Sequence, residues 1–448
     1  MRALSNHLRV VLCGLMLAAL PSTRPQIAAA QTQPQVIDDS QLHAFSTSIG
    51  GASVLSTTRT VQHWFGSTLN PHNGVTYGYD MVGADPNNCT GTACSATITA
   101  DIIPLNVVVD GMTFSGEDVL AATLASPVFG LNDYGSTPHA TLAGGVLNIP
   151  PLSRGPGGLL SQDDAGKQLQ LQDATMRAQF NQTGSSPYHL KLNPVTHDAI
   201  TIVVPSGKGT LLQSGRGVVF ADVNLQWWST RIQNLVSSLG YIDPTHLPIF
   251  LTNDTVNFTG TSPLNCCVIG FHGAGPVPSH VKGTNGPVSG NGNQPVQTWA
   301  WASWTSPGFF ARPNGGTDWA LQDIHPLSHE ISEWADDPFI NNFVEPWLTP
   351  TAPQYGCSGL LETGDPVVAI GFAMGTNTFD QGPNPNGTQS ADGFYHPEDE
   401  VLLPWFMRLA PNTVAEPTQK SSTNIGRYTF MGDLNPFPGF RMPATGCQ

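Results

Sequence analysis

Charged side chains are scarce in this chain. Only 11% of its 448 residues are Asp, Glu, Lys or Arg, against an average of about 25% in soluble proteins. Basic residues are the scarcer kind, because 17 Lys and Arg stand against 32 Asp and Glu. An acidic protein is repelled by phosphate backbones and anionic lipids, so we expect neither nucleic acid nor an anionic membrane surface as a partner. Solubility must come from neutral polar side chains, as is common in exported proteins.

Long hydrophobic runs are also missing, apart from one short run near the N-terminus. Residues 10–20 are apolar and follow Arg2 and Arg9, but a membrane span needs about 20 such residues. Alanines at 28–30 then precede Gln31. A basic start, a short apolar run and small residues at the cleavage point are typical of a secretory signal peptide. We therefore predict a signal peptide at 1–30, no membrane insertion, and secretion to the extracellular space or the periplasm.

Cysteine is sparse, and its count is informative. Cys13 leaves with the predicted signal peptide, so six cysteines remain in the mature chain. An even number in an exported protein indicates disulfides rather than a thiolate metal site. Cys89 and Cys94 close a short loop and are the first predicted pair. We expect Cys266 and Cys267 to reach the two remaining cysteines, at 357 and 447, in an order that the sequence leaves open.

The first part of the mature chain has the pattern of β structure. Residues 96–103 and 105–109 are rich in β-branched and alternating apolar side chains, which predicts strands. Asp110 and Gly111 follow, and an Asp-Gly pair between such segments is a strong hairpin signal. We therefore predict a β-rich N-terminal region at 31–160.

The later part alternates between helical and strand patterns. An amphipathic helix is expected after Asp222, which we predict to be its cap, and before Gly240, which ends the pattern. We predict an α/β domain at 161–448, although one large domain also fits the length. The expected fold class is α/β or α+β, with a mixed sheet flanked by helices.

One short motif points to a chemical function. Residues 328–334 read Ser-His-Glu-Ile-Ser-Glu-Trp, which places His329, Glu330 and Glu333 in an HExxE pattern. In the HExxH motif of zinc peptidases, two histidines one helical turn apart bind the metal, and the intervening Glu acts on the attacking water. Here Glu333 stands in place of the second histidine. We predict a metallopeptidase-like helix on which His329 and Glu333 bind one ion and Glu330 is the catalytic general base.

The same stretch also fits a plain amphipathic helix, with its apolar side chains buried and its acids in water. The predicted apolar stripe consists of Leu327, Ile331, Trp334 and Ala335, and the opposite side of His329, Glu330, Glu333, Asp336 and Asp337. Against this alternative stands the local density of acids in a chain that is otherwise poor in charge. Such crowding raises carboxylate pKa values unless a cation neutralises it.

A catalytic zinc ion needs a third protein ligand and an open coordination position. Glu362, which follows Glu333 by 29 residues, is our first candidate, and Asp365 is our second. The alternative is that residues 362–366 form only a turn, which Asp, Gly and Pro favour. We expect Zn2+ as the cofactor, although one imidazole with several carboxylates also suits another divalent cation, such as manganese or calcium.

Two further places in the sequence are candidates for supporting roles. Proline prefers the first turn of a helix, so Pro326 indicates that His325 flanks the site, with a role in the site as the alternative. Tyr395 and His396 are candidates for the donor that stabilises an oxyanion, with ordinary packing as the alternative.

These motifs resemble those of the phosphate-induced, exordium-like proteins of plants and their bacterial relatives. The likeness is carried by Cys266-Cys267-Val268-Ile269-Gly270-Phe271-His272, His329-Glu330-x-x-Glu333, Asp337-Pro338, Glu362-x-x-Asp365 and, more faintly, Trp64-Phe65-Gly66. The resemblance covers about residues 247–366. It implies a secreted protein with a peptidase-like fold, associated in plants with cell walls and growth responses.

Three functions follow as hypotheses. The first is a secreted metal-dependent hydrolase, most simply a peptidase, that acts on a peptide or cell-wall substrate. The second is a non-catalytic cell-wall or glycan-binding protein on a peptidase-like scaffold, with tryptophans at 227–228 and 299–304 to stack on sugars. The third is an acidic helix face that binds calcium for stability alone.

Overall fold

The computed structural model of the protein describes residues 35–36, 60–134, 139–142, 164, 166–182, 184–215, 217–276, 295–310, 321–350, 356–368, 370–379, 393–410, 428–430 and 447. The predicted signal peptide at 1–30 lies outside these residues. Throughout the described part, none of the helices combines the length and the apolar composition that crossing a bilayer requires.

The described residues form short helices and many strands. The strands are β1 Gln35–Val36, β2 His63–Leu69, β3 Thr76–Val82, β4 Ser95–Val109, β5 Met112–Ser115, β6 His139–Leu142, β7 His189–Thr196, β8 Ile200–Val203, β9 Gly209–Gln213, β10 Val219–Asn224, β11 Leu247–Asn253, β12 Thr255–Phe258, β13 Cys266–Val268, β14 Gly270–Pro276, β15 Val296–Trp304, β16 Phe343–Leu348, β17 Cys357–Leu360 and β18 Ile370–Ala373. The α-helices are α1 Leu120–Ala125, α2 Leu171–Gln179, α3 Leu225–Ser238, α4 His325–Asp336 and α5 Leu403–Phe406.

The largest sheet follows the order β14-β15-β11-β4-β5, and β7 and β8 also pair with β4. β4 is parallel to β7, β8 and β11 but antiparallel to β5, so the sheet is mixed, as predicted. Asp110 and Gly111 make the predicted hairpin turn with φ angles of 48° and 85°, as a type I′ turn requires. The fold is strand-rich α+β, and the predicted regions 31–160 and 161–448 share this sheet through β4 and β11.

A second sheet has the order β1-β9-β10-β12-β13, and α3 begins where β10 ends. Asn224 caps α3, because its side chain accepts a hydrogen bond of 3.1 Å from the backbone N–H of Trp227. The prediction that Asp222 caps this helix is wrong. Asp222 lies inside β10 and is fully buried, so the strand extends two residues further than the turn-like Asp suggested.

Helix α4, which carries the HExxE motif, packs on β14 and β15 of the largest sheet. Trp334 Nε1 donates to Thr298 Oγ1 of β15 at 3.0 Å, and on another side Gln179 Nε2 of α2 donates to Asp336 Oδ1 at 2.6 Å. All twelve residues of α4 are buried. A plain amphipathic helix with a wet acidic side is therefore excluded, because protein covers the acids as well as the apolar stripe.

The disulfides confirm one predicted pair and correct the others. Cys89 is bonded to Cys94, as expected. Cys266 is bonded to its neighbour Cys267, and Cys357 to Cys447. The prediction that Cys266 and Cys267 reach the other two is wrong, because β13 buries this pair in a separate apolar cluster with side chains such as Phe309.

Candidate metal centre

The sequence at each end of α4 suits a helix terminus. Pro326 occupies the first turn, where the missing N–H of proline breaks no helical hydrogen bond. At the other end, Asp337 Oδ1 accepts from the backbone N–H groups of Asn341 at 2.9 Å and Asn342 at 3.1 Å. The prediction that the HExxE motif lies on a helix is confirmed, and its likeness to a metallopeptidase helix stays a prediction.

The ring of His329 is held in one orientation. Its Nδ1 forms a hydrogen bond with Glu398 Oε2. Its Nε2 lies 3.0 Å from Glu333 Oε1 and 3.7 Å from Asp365 Oδ1, but has hydrogen-bond geometry with no described residue. The imidazole therefore presents one nitrogen to two carboxylates while Glu398 holds the other. We name His329, Glu333 and Asp365 the His329 group.

The pKa values of His329 and Glu333 reflect both their burial and the charges beside them. Burial lowers the pKa of His329, but the carboxylates of Glu333 and Glu398 outweigh burial and raise that pKa well above its usual value. Burial raises the pKa of Glu333, but His329 outweighs it, and the net shift of that pKa is downward. The two side chains therefore stabilise each other as an imidazolium and a carboxylate, and a cation would take the place of the imidazolium proton.

A second histidine, His272, lies on β14 and faces α4. It is fully buried, and its Nδ1 lies 3.4 Å from Glu330 Oε2 and 3.6 Å from Glu333 Oε2. Its Nε2 lies 3.9 Å from Glu362 Oε2 and has no hydrogen-bond partner among the described residues. We name His272, Glu333 and Glu362 the His272 group. Ligand atoms within each group lie within 4.8 Å of one another.

The structure brings all four predicted ligands together but distributes them differently from the prediction. Asp365, our second candidate, is the one beside His329, and its backbone N–H donates to Glu333 Oε1 at 3.1 Å. Glu362, our first candidate, stands beside His272. Glu333 belongs to both groups.

Sequence reasoning did not identify His272 as a candidate ligand, although its segment carried part of the family resemblance. A strand residue has no local spacing that relates it to a helix far along the chain. One signal was present, because residues 268–272 form an apolar run with a single histidine at its end.

Glu330, the predicted general base, makes its contact across the interface between α4 and β14. Its carboxylate packs on Gly270, where an added Cβ would lie 2.5 Å from Glu330 Oε1. Burial raises the pKa of Glu330 more than the hydrogen bond with His272 lowers it. Glu330 is therefore a buried carboxyl group with an elevated pKa and a histidine at 3.4 Å.

The remaining acids at the end of α4 are accommodated by neutral donors. Burial raises the pKa of Asp336 and that of Asp337 to about 7 each. Asp336 accepts from Gln179, and Asp337 from backbone N–H groups. Their crowding, noted in the sequence, is therefore explained without a metal ion.

His325, Tyr395 and His396, the candidates for supporting roles, each contact another residue of the fold. His325 Nε2 lies 3.5 Å from Glu398 Oε2, the carboxylate oxygen that also contacts His329, in agreement with a flanking position. Tyr395 donates its hydroxyl to the carbonyl of Ala122 at 2.9 Å, and His396 is bonded to Asp323 at 2.7 Å. These contacts agree with ordinary packing of Tyr395 and His396, which was the alternative to a role in stabilising an oxyanion.

The tryptophans proposed for glycan stacking are mostly in the core. Trp228, Trp299, Trp301 and Trp304 are 0–4% exposed, so their ring faces are not open to a sugar. Trp227 alone among the five is half-buried. Little tryptophan ring surface is therefore exposed at these positions for stacking on a sugar.

Both groups have the chemistry that a divalent cation requires. Each offers two carboxylates and one imidazole nitrogen that has no hydrogen bond with the described residues, in a buried setting where an unpaired polar atom is costly. Metal-binding histidines generally donate the N–H of their second ring nitrogen to a carboxylate, a backbone carbonyl or water, and Nδ1 of His329 is hydrogen-bonded to the carboxylate of Glu398.

Comparison with known proteins adds no identification. No family model matches the chain, and no curated protein or solved structure matches it either. The resemblance to exordium-like proteins therefore stays a prediction.

Proposed function

We propose that this protein is a secreted metal-dependent hydrolase with peptidase-like chemistry and a peptide or cell-wall substrate. The observation that carries the proposal is the orientation of His329. One ring nitrogen is bound to Glu398, and the other faces Glu333 and Asp365 at 3.0 and 3.7 Å without hydrogen-bond geometry. A ring held in this way is ready to donate its lone pair to a cation.

The donor set limits the choice of metal. One imidazole with two carboxylates matches the ligands that catalytic Zn2+ accepts, while the oxygen-rich set also suits Mn2+. We expect Zn2+ first and Mn2+ second. Three protein ligands would leave a coordination position for water, as a catalytic site needs.

Each side chain would have a separate task in hydrolysis. A bound divalent cation lowers the pKa of a coordinated water toward about 7. Glu330 would accept the proton of the attacking water and transfer it to the leaving nitrogen. Its pKa is raised by burial, and a general base is most effective when its pKa lies near the working pH.

Solvent would reach the centre from the side of Asp365. The Asp365 side chain is 28% exposed, whereas those of His329 and Glu333 are 3% and 1% exposed. A substrate would therefore approach past Asp365, with the remaining protein ligands already shielded from water. Shielding of this kind strengthens the electrostatic effect of the ion on the substrate.

Secretion is supported by the cysteines. All six cysteines of the predicted mature chain lie in disulfides, and disulfides persist in oxidising compartments.

The absence of the second histidine of the HExxH motif suits the non-catalytic alternative. The buried tryptophans, however, remove most of the surface on which a glycan-binding role was based.

The test is metal analysis combined with a peptide-cleavage screen. Purified wild-type protein, dialysed against buffer with Zn2+ or Mn2+ and then without, should retain stoichiometric metal. His329→Ala should lose metal, whereas Glu330→Gln should keep it and lose hydrolysis. His197→Ala is the matched control, because His197 is also paired with a carboxylate, Asp101, at 2.8 Å but belongs to neither group.

Two results would contradict the proposal. One is wild-type protein that folds normally yet binds neither metal. The other is metal-loaded protein in which Glu330→Gln leaves hydrolysis unchanged, which would move the general base elsewhere. Metal that raises the melting temperature without any cleavage in the screen would favour the purely stabilising role.

A further inference from the structure

The two oxygens of Glu333 face different histidines. Oε1 lies 3.0 Å from His329 Nε2 and accepts from the backbone N–H of Asp365 at 3.1 Å. Oε2 lies 3.6 Å from His272 Nδ1. A carboxylate that binds a single ion with both oxygens would direct them to the same place. The two oxygens of Glu333 are instead divided between the His329 group and the His272 group.

His272 is prepared for a ligand in the same way as His329. Its Nδ1 faces Glu330 Oε2 at 3.4 Å, so a proton on Nδ1 leaves the lone pair on Nε2. This Nε2 is fully buried, makes no hydrogen bond within the described part of the chain, and lies 3.9 Å from Glu362 Oε2. A buried ring nitrogen without a partner costs folding free energy, and a cation between His272 and Glu362 would remove that cost.

From these contacts we infer that the centre holds two divalent cations bridged by Glu333, the second bound by His272 and Glu362. The second ion deepens the proposed function and rests on it, because Glu333 is shared with the His329 group. Hydrolases with two metals hold them about 3.5–4 Å apart, where the pair stabilises both the attacking and the leaving group.

The charge balance favours two ions over one. Five carboxylates converge here, on Glu330, Glu333, Glu362, Asp365 and Glu398. The ion pairs that Glu333, Asp365 and Glu398 form in the described residues are all with histidines. If all five carboxylates are ionised and both histidines are neutral, one dication would leave three formal negative charges uncompensated, whereas two would leave one. Buried uncompensated charge is strongly unfavourable.

The two positions differ in their access to solvent. The side chains of His272 and Glu362 are 0% and 3% exposed, whereas that of Asp365 is 28% exposed. We therefore expect the ion beside His329 to exchange first and the ion beside His272 to exchange slowly. Removal of metal by a chelator should accordingly occur in two phases of equal amplitude.

The experiment is metal stoichiometry and electron paramagnetic resonance on the full secreted chain loaded with Mn2+. Wild type should bind two ions and give the spectrum of a spin-coupled pair. His272→Ala should bind one ion and give the hyperfine pattern of isolated Mn2+, and Glu362→Gln should do the same without a change in side-chain size. Circular dichroism and the melting temperature check the folding of each variant.

The outcomes separate this inference from the proposed function. Wild type with one uncoupled ion that His272→Ala and Glu362→Gln both retain would overturn the dinuclear centre and leave the hydrolase proposal intact. Wild type without any bound ion would overturn both. If His272→Ala fails to fold, Glu362→Gln alone decides between one ion and two.

Discussion

Gly364 allows the most direct test of how the His329 ring is held. An added Cβ at this position would lie 2.5 Å from His329 Nδ1, 2.8 Å from Cε1 and 2.9 Å from Cγ. The backbone of Gly364, with φ of −83° and ψ of −41°, lies in a region that any residue adopts. Gly364→Ala therefore perturbs the site through steric contact alone.

The magnitude follows from the distances. For the Cβ to reach ordinary contact with Nδ1, the ring must retreat by about 1 Å, because carbon contacts are most favourable at about 3.5–4 Å. That movement breaks the bond to Glu398 and displaces Nε2 from Glu333 and Asp365. Loss of such an outer contact typically weakens metal binding about 10–100-fold, which corresponds to about 1.4–2.7 kcal/mol.

The assay is the Zn2+ dissociation constant, measured by competition with a chelating dye, beside the melting temperature. Gly359→Ala is the matched control, because its Cβ would meet only Val344 O at 3.8 Å. Gly364→Ala should bind Zn2+ about 10–100-fold more weakly than Gly359→Ala and remain folded. Equal affinity in the two folded variants would refute the view that the fixed His329 ring is a ligand.

Three further predictions concern separate features. Glu398→Gln should weaken Zn2+ binding about 10–100-fold by loss of a charged partner for His329 Nδ1, as measured with the same dye, and unchanged affinity would contradict the positioning role. Burial raises the pKa of Asp254 to about 6 despite its hydrogen bonds with Ser306, so this carboxyl group holds its proton more tightly in the folded state than in the unfolded state. The stability that results, about 3 kcal/mol, is fully present below about pH 4 and is lost as pH rises through about 6. Asp254→Asn should reduce that pH dependence in urea unfolding at pH 4.5 and 7 by a comparable amount, and identical profiles would contradict it. Loss of the Cys357–Cys447 bond, which spans 90 residues, should lower the free energy of unfolding by about 2–5 kcal/mol, as measured by denaturant titration of the double Ser variant.

Local patterns predicted the parts of the fold that local physics determines. The Asp110-Gly111 turn was readable because few residue pairs accept two consecutive positive φ angles. The position of the HExxE helix was readable because Pro326 and the motif periodicity agree. The burial of the helix was not, because a sequence shows only that acids share a face, and the cover over that face comes from α2 and from strands far along the chain.

The ligand set illustrates the same limit at the site. Sequence spacing offered Glu362 and Asp365 as alternatives for one position, whereas in the fold Glu362 lies beside His272 and Asp365 lies beside His329. His272 could not be related to α4 by spacing, because β14 contacts the helix as a strand of the sheet in which it pairs with β15. The predicted ligands therefore fall into the His329 group and the His272 group because of tertiary contacts, which no local sequence signal shows.

Helix α4 accommodates its acids in two different ways, and the contrast bears on function. Asp336 and Asp337 are met by neutral donors, with pKa values raised to about 7, so they can be protonated and need no cation. Glu333, one turn earlier, has its pKa lowered by His329, so this acid remains charged in the core. A cation that binds only the folded chain stabilises it by about 4 kcal/mol at a thousandfold excess over its dissociation constant. The centre therefore couples metal binding to folding, and chelation should destabilise the wild type more than His329→Ala, which has already lost that ion.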